Sequence, residues 1–538
     1  MKADIIFFNG QVVTVDRNQS VHQAAAIKEE RILDTGSNEE IQAYAGDYTT
    51  WVDLKGRSLL PGFIDAHAHI EINGTNKLGV NCKELPSIAE IQTALRERAQ
   101  DTPTGEWIRG WGYNHKQLSE NRHPTRAELD EVSVEHPIII TRTCNHTSVV
   151  NSKALALFGL ADDAPDPEGG RLGRENGRLN GQLFESIHMA MFEFSQYEEE
   201  EIMKGYQLAS QEYIENGITS LHEAGGYGNV HFQWLQKGVL NQFIDVRLYM
   251  LMGSLSRSKE VLERALEGGF LTKMGNDRFT VGPAKLFIDG SSSGPTAATR
   301  EPYTSDPHDS GVLYYTQEEL EETLVKASRM GNQITSHAMG DKGVEMLITC
   351  IEKANEVADS DRRHRIEHCG IAQADLRERI KKAKAVPILN PAFLYEFGDG
   401  YLVDYGERVH DMFPARSLLD LGVRPAIGSD NPVTTANPFI GIYAAVTRKT
   451  KSGKEIGTNQ RVTIYEAIEQ YTINGAFASY KEDDLGSIEP GKTADLIIVN
   501  QPILDVDPEE VKNVKVDATM IGGIFYYQRS SSESYTRS

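Results

Sequence analysis

The sequence predicts an α/β architecture: a (β/α)8 barrel of eight parallel strands, a β-sandwich built from both chain ends, and a subdomain inserted after the first barrel strand. Three observations predict it. Eight short apolar runs are each followed by a polar or glycine-rich break and a helical stretch. β-rich runs with turn punctuation occupy both ends of the chain. About 150 residues separate the first barrel run from the second, too many for one βα connection.

In chain order, residues 1–58 hold IIFFNGQVVTVD and TTWVDLKGRSLL, and residues 484–527 hold TADLIIVN and ATMIGGIFYYQ behind the turn-rich LGSIEPGKTAD. Together they are assigned to the sandwich. Residues 59–71 plus 205–483 are assigned to the barrel. Its runs are SLLPGFID, GITSLHE, VRLYMLMG, AKLFIDG, QITSHAMG, RIEHCG, AVPILNP and VRPAIGSD. The stretches QEELEETLVKASRMG and TIYEAIEQYTINGA carry apolar positions three or four apart, the spacing of helices that cover a sheet. Residues 72–204 form the insert, near the mouth of the barrel, and include the strand-like HPIIITRTC. Within it YEEEEIMK reads as a solvated helix N-terminus, where carboxylates favour the dipole. Residues 528–538, with the polar SSSESYTRS, are expected to be a disordered tail.

The 538 residues are 39% apolar and 25% charged, the balance of a folded protein with a sizeable core. Lys and Arg total 55 against 78 Asp and Glu, a formal charge of −23, which repels nucleic acid and anionic membranes. No nucleic-acid or membrane partner is expected. The start, MKADIIFFNGQVVTVDRNQ, lacks a small-residue cleavage site, and the chain is read as cytoplasmic. Cys82, Cys144, Cys350 and Cys369 are dispersed without a CxxC, which argues against a disulfide framework and a thiolate zinc site. A homodimer is the default for a protein of this class.

Chemistry-bearing residues gather at the C-terminal ends of the barrel runs, where barrel enzymes place their sites. The first run ends in Asp65-Ala66-His67-Ala68-His69; in extended backbone the imidazoles at i and i+2 face one side and suit one metal ion. With 15 His in the chain, chance alone yields about 0.4 such pairs, so the motif needs support. Lys285, His337, His368 and Asp430 supply it, each at or next to the end of a separate run. Each also has an ordinary structural role open to it: Lys285 as a partner of Asp289, His337 as a core histidine, Asp430 as a helix cap. Imidazole and carboxylate together suit zinc and neighbouring divalent metals. An ammonium repels a metal, so Lys285 needs a separate account: an apolar strand lowers its pKa, and CO2 then converts the neutral amine to a carbamate. Two carbamate oxygens can bridge ions about 3.5 to 4 Å apart.

The segments PGFIDAHAH, NSKAL, GITSLHEAG, KLFIDGS, SHAMGD, RIEHC, GSDNPV and GSIEPGKTADLIIV occur in this order across nearly the whole length. As a set they resemble the amidohydrolase superfamily and, within it, the YtcJ-like branch (amidohydrolase family 3) that contains the N-substituted formamide deformylases. The resemblance implies a distorted (β/α)8 TIM barrel with a sandwich from both termini. It implies that His67, His69, Lys285 and Asp430 surround the more buried ion and that Lys285, His337 and His368 hold a second. Some members work with one ion, so one or two divalent ions are expected, zinc foremost. The resemblance makes Asp430 the general base and acid: it takes a proton from a metal-activated hydroxide and delivers it to the leaving amine. The implied activity is hydrolysis of a C–N bond in a small molecule, a linear amide or an N-acyl or N-formyl amine.

For substrate contact the candidates are Trp111, His146, His222 and Tyr303, with Trp107, Tyr113, Asn114, His115, Arg142, Asn145 and Asn390 behind them. Packing roles account for these residue types equally well. Two other functions stand beside the leading one. A deaminase of the same superfamily would more typically carry a helical HxxE, which HRIEHC, read as a barrel run, does not fit well. A metal-binding regulatory protein without turnover would have no need of a general base.

Overall fold

The computed structural model describes residues 1–529 apart from 144–146, 168, 229, 256–257 and 359–360. Two compact units divide the chain: Met1–Ile70 with Ser210–Ser538, and Glu71–Ala209. Residues 530–538, most of the expected tail, lie outside the described residues.

The larger unit contains one sheet of eight strands in chain order. They are β1 (Phe63–Ala68), β2 (Ile218–Glu223), β3 (Arg247–Met252), β4 (Phe279–Phe287), β5 (Ile334–Ala338), β6 (Arg365–His368), β7 (Val386–Leu389) and β8 (Ala426–Ile427). Every pairing from β1 to β8 is parallel. A sheet covered on both faces requires strands without polar alternation, and β1, β2 and β7 are buried at every position. All eight expected runs lie in this sheet, but the first is divided. Ser58–Pro61 belongs to another sheet, and the barrel strand starts only at Phe63. Gly62 marks the join; a Cβ there would sit 2.3 Å from Thr219 Oγ1, so the crossing has no room for a side chain.

Helices alternate with these strands. Gln317–Arg329 begins at a capping box in which Thr316 and Glu319 satisfy each other's backbone amides. The expected single helix TIYEAIEQYTINGA is two, Ile464–Tyr471 and Ile473–Ala478, because Thr472 leaves helical geometry at φ −130° and ψ −96°. Among the described residues no helix is long and apolar enough to cross a membrane.

Both chain ends supply a pair of sheets. One runs Arg31–Gly36, Ala24–Lys28, Ile5–Phe8, Thr50–Asp53; the other runs Ile524–Gln528, Val516–Ile521, Leu496–Val499, Ser58–Pro61, Gln11–Val13, Val21–His22. Leu59 pairs with Ile498 across the junction of the two termini. Phe7, Ile27, Val52, Leu59, Leu496 and Met520 share one apolar core. In the second unit, a sheet containing Ile108–Tyr113 and Ile138–Arg142 packs on helix Ile88–Asp101, and Ile91, Leu95, Ile108, Ile138 and Ile140 form its core.

The barrel closes where the segment after β8 meets β1. Asp430 N donates to His67 O at 2.7 Å and His69 N to Asn431 O at 2.9 Å. The Asp65 carboxylate accepts from Ser429 N at 2.9 Å and from Ser429 Oγ at 2.5 Å. The approach is so close that a Cβ on Gly428 would lie 2.5 Å from His67 Cβ and 2.6 Å from His67 N. Gly428→Ala is therefore expected to cost about 1–3 kcal/mol by overpacking, read as an earlier urea midpoint. Gly294→Ala, where a Cβ meets nothing within 4 Å, should leave the midpoint unchanged. Equal midpoints for the two variants would contradict a tight seam.

Candidate metal centre

β1 carries His67 and His69 to its C-terminal end, and the closing segment carries Asp430 against them. Asp430 Oδ1 lies 3.5 Å from His67 Nε2 and 3.1 Å from His69 Nε2. His368, at the end of β6, lies beside His67 with ring centroids 4.6 Å apart and planes tilted by 53°. His67, His368 and Asp430 each offer a ligand atom within 4.8 Å of the others, and all three are buried. His368 and Asp430 both adopt left-handed backbone, φ 68° and 57°, which turns these side chains off the ends of their strands.

The far nitrogen of each imidazole is engaged, and that sets which nitrogen faces the centre. His67 Nδ1 donates to Glu367 Oε2 at 2.5 Å, and His69 Nδ1 donates to Gly225 O at 2.6 Å. Asn390 Nδ2 donates to Gly428 O at 2.7 Å, which turns its Oδ1 to His368 Nδ1 at 2.8 Å and makes that nitrogen the donor. All three histidines therefore present Nε2 lone pairs. Burial pushes His67 and His368 well below the ordinary imidazole range, with nearby positive groups adding to it, so both are neutral. The Nε2 lone pair of His69 facing a carboxylate at 3.1 Å calls for a proton or a cation between them. This donor set, imidazole nitrogens plus one carboxylate, fits a divalent ion of the zinc class.

Lys285 is fully buried on β4, and its amine donates to Ala224 O at 2.7 Å. Among the described residues no carboxylate lies at ion-pair distance from it. Burial pulls the amine down to about 8. The pairing with Asp289 that the sequence leaves open is not made. Asp289 instead accepts from the amides of Met339, Gly340 and Ala298 at 2.9, 2.7 and 3.0 Å. Asp289 also lies 3.5 Å from His337 Nε2, and burial pushes its carboxyl up to about 7. His337 Nε2 donates to Gly290 O at 3.0 Å, which leaves the lone pair on Nδ1, and its ring lies 4.5 Å from that of His368. Asp430 does not cap a helix; burial alone would raise its carboxyl, but the hydrogen bond with His69 and the attraction of the Lys285 amine help hold it below the usual range.

His222 is buried in the barrel, with Nδ1 2.9 Å from Arg365 Nη1 and its ring 5.0 Å from Tyr249. Tyr303 packs edge-on to Tyr405 at 5.5 Å and donates its hydroxyl to Ala297 O. Trp111 stands on strand Ile108–Tyr113 of the second unit, beside Arg109 and Tyr197 at a cavity of about 30 Å³. Trp107 packs in that unit's core, and Tyr113 bonds His123. There too Arg142 Nε donates to His115 Nδ1 at 3.1 Å, and Asn114 Oδ1 lies 3.5 Å from the same guanidinium. His146 and Asn145 lie outside the described residues.

Sequence reasoning missed the layer behind the imidazoles: Glu367, Arg365, Glu223 and Asp65. Glu223 accepts from Ile70 N at 2.5 Å and Gly225 N at 3.0 Å, fastening the loop whose carbonyls hold His69 and Lys285. A signal was present in RIEH, where two charged residues two apart share one face of a fully buried strand.

Residues 50–527 match the model of the amidohydrolase family. The chain is 28% identical to the N-substituted formamide deformylase of Arthrobacter pascens, covering 98% of this chain and 99% of the relative. It is also 28% identical to YtcJ of Bacillus subtilis, covering 98% and 100%. A crystal structure of an uncharacterized metal-dependent hydrolase from Pyrococcus horikoshii superposes with a TM-score of 0.78 at 26% identity, over 94% of this chain and 99% of that one. With nearly its full length matched by that family model, the chain belongs to the amidohydrolase family.

Proposed function

We propose that the protein is a metal-dependent hydrolase that cleaves the C–N bond of a small linear amide, an N-acyl or N-formyl amine. The observation that carries this reading is Asp430, buried and ionised, set against three imidazoles whose Nε2 lone pairs converge on it. The similarity to an N-substituted formamide deformylase supports the choice of amide. His67, His69, His368 and Asp430 would hold a divalent ion, zinc by donor type, with His337 through Nδ1 and a carboxylated Lys285 completing a second position.

An ion held there supplies Lewis-acid activation of water and of the scissile carbonyl. The chain's own residues do the rest. Asp430 accepts a proton from the attacking water and passes it to the departing nitrogen, which leaves poorly until it is protonated. His69, held by Gly225 O, keeps that carboxylate in place. Glu367 and Asn390 stop the His67 and His368 rings from rotating. Lys285 has its stem in the apolar barrel, and its amine, pulled toward neutrality, is the nucleophile that CO2 needs to form a carbamate.

Asp430→Asn is expected to keep the fold and lower turnover by about 10²–10⁴-fold on a panel of N-formyl and N-acetyl amines. Unchanged turnover would remove Asp430 from the proton transfer. Lys285→Ala should lose at least one metal equivalent, measured by inductively coupled plasma mass spectrometry on protein purified without chelator. Full retention would rule out a bridging carbamate. On the same measurement the wild type should carry one or two equivalents of a divalent transition metal; none, with no uptake on reconstitution, would overturn the hydrolase reading.

A further inference from the structure

Beneath the imidazoles lies a buried ionic network, of which the mechanism above uses only the end that touches His67. Arg365 and Glu367 stand two apart on β6, both fully buried. The guanidinium holds the carboxylate through two nitrogens, Nε to Oε1 at 2.8 Å and Nη2 to Oε2 at 3.0 Å. Thr335 Oγ1 on β5 donates to Oε1 at 2.8 Å. The remaining direction of Oε2 takes His67 Nδ1 at 2.5 Å. Arg365 then reaches across the barrel: Nη2 donates to Ala66 O on β1 at 2.7 Å and Nη1 to His222 Nδ1 on β2 at 2.9 Å. His222 also hydrogen-bonds the backbone of Ala66. Four strands thus meet at one charge pair, and Ala66, the residue before His67, is held twice.

The geometry points to Glu367 as a positioning residue: fixed in place by Arg365 and Thr335, it locks the His67 ring with the proton on Nδ1 and Nε2 directed to the metal. The inference rests on the metal-centre reading above. A carboxylate already saturated by a bidentate guanidinium and a hydroxyl cannot swing away, so the one orientation left to the His67 ring is the one that aims its other nitrogen at Asp430. His222, singled out from the sequence as a substrate contact, serves this network instead: its Nδ1 is taken by Arg365 and its other contact is the Ala66 backbone. Arg365 is irreplaceable by Lys on the same argument, since a point ammonium cannot make the paired contacts to Glu367 and reach Ala66 and His222 together.

The test compares wild type, Glu367→Gln, His67→Asn and Thr335→Val as metal-free proteins. Zinc is titrated against a competing chelator, and histidine is labelled with ¹⁵N. Glu367→Gln keeps the shape and loses the charge; it should bind zinc about 10–100-fold more weakly. Wild type should show a far-downfield imidazole N–H that disappears in both His67→Asn and Glu367→Gln. Thr335→Val removes one hydrogen bond to Glu367 without touching the charge pair, and should retain the downfield proton while folding as wild type does. Should Glu367→Gln fail to fold, the wild-type and His67→Asn spectra still decide, because absence of the proton from metal-free wild type overturns the assignment. Equal zinc affinity in a folded Glu367→Gln also overturns it. Wild type that binds no zinc at all, yet shows the downfield proton, would keep the His67–Glu367 lock and discard the metal reading.

Discussion

Everything at the centre depends on how the barrel closes. The last strand is two residues long, too short to form a ladder with the first, so closure falls to the four residues that follow it. Asp65 takes the amide and hydroxyl of Ser429, and His67 and His69 exchange backbone hydrogen bonds with Asp430 and Asn431. Residues that seal the sheet are thereby interleaved with residues that face the centre. Asp430 reaches both imidazoles because its own amide is tied to the strand that bears them, and Gly428 lacks a side chain because the two backbones must nearly touch.

Taking charge out of water costs several kcal/mol per ion unless partners replace the solvent, and the barrel treats its charges in two ways. Arg365 and Glu367 are fully partnered: guanidinium, carboxylate, hydroxyl, carbonyl and imidazole saturate one another. Burial would raise the Glu367 carboxyl, yet Arg365 and the other donors hold it below the ordinary range. Lys285 is buried just as completely, but among the described residues its amine hydrogen-bonds a neutral carbonyl and no carboxylate, so desolvation prevails and the amine is pulled down to about 8. The first arrangement holds geometry; the second produces a reactive nitrogen. Both sit in the same eight-stranded barrel, because Lys285 comes from β4 and the Arg365–Glu367 pair from β6, and the neighbours of each are chosen by the sheet rather than by the chain.

Much of the fold was legible in the sequence. The βα rhythm located all eight barrel strands, because a strand covered on both faces must be apolar along its length whatever it pairs with. Of the candidate ligands, His67, His69, His337 and His368 stand at or next to strand ends, while Lys285 lies two residues inside the end of β4 and Asp430 three residues beyond β8. Boundaries were less so. SLLPGFID reads as one apolar run, but Gly62 divides it between two sheets, and TIYEAIEQYTINGA reads as one helix, but Thr472 breaks it. In both places the apolar pattern continues across a change of backbone that it does not register.

What the sequence by itself determined is therefore the order and type of the elements and the kinds of atom each offers, because burial and periodicity are local properties of a strand or helix. Only the tertiary structure decided which atoms meet. Glu367 is given no role from the sequence and becomes the anchor of His67, 300 residues away. Asp289 looks like a partner for Lys285 and is claimed by backbone amides. His222 looks like a substrate contact and is bonded to Arg365. Hydrogen bonds across a barrel join strands that are remote in sequence, and their distances are fixed by strand register and by the closing of the sheet, neither of which any single segment encodes.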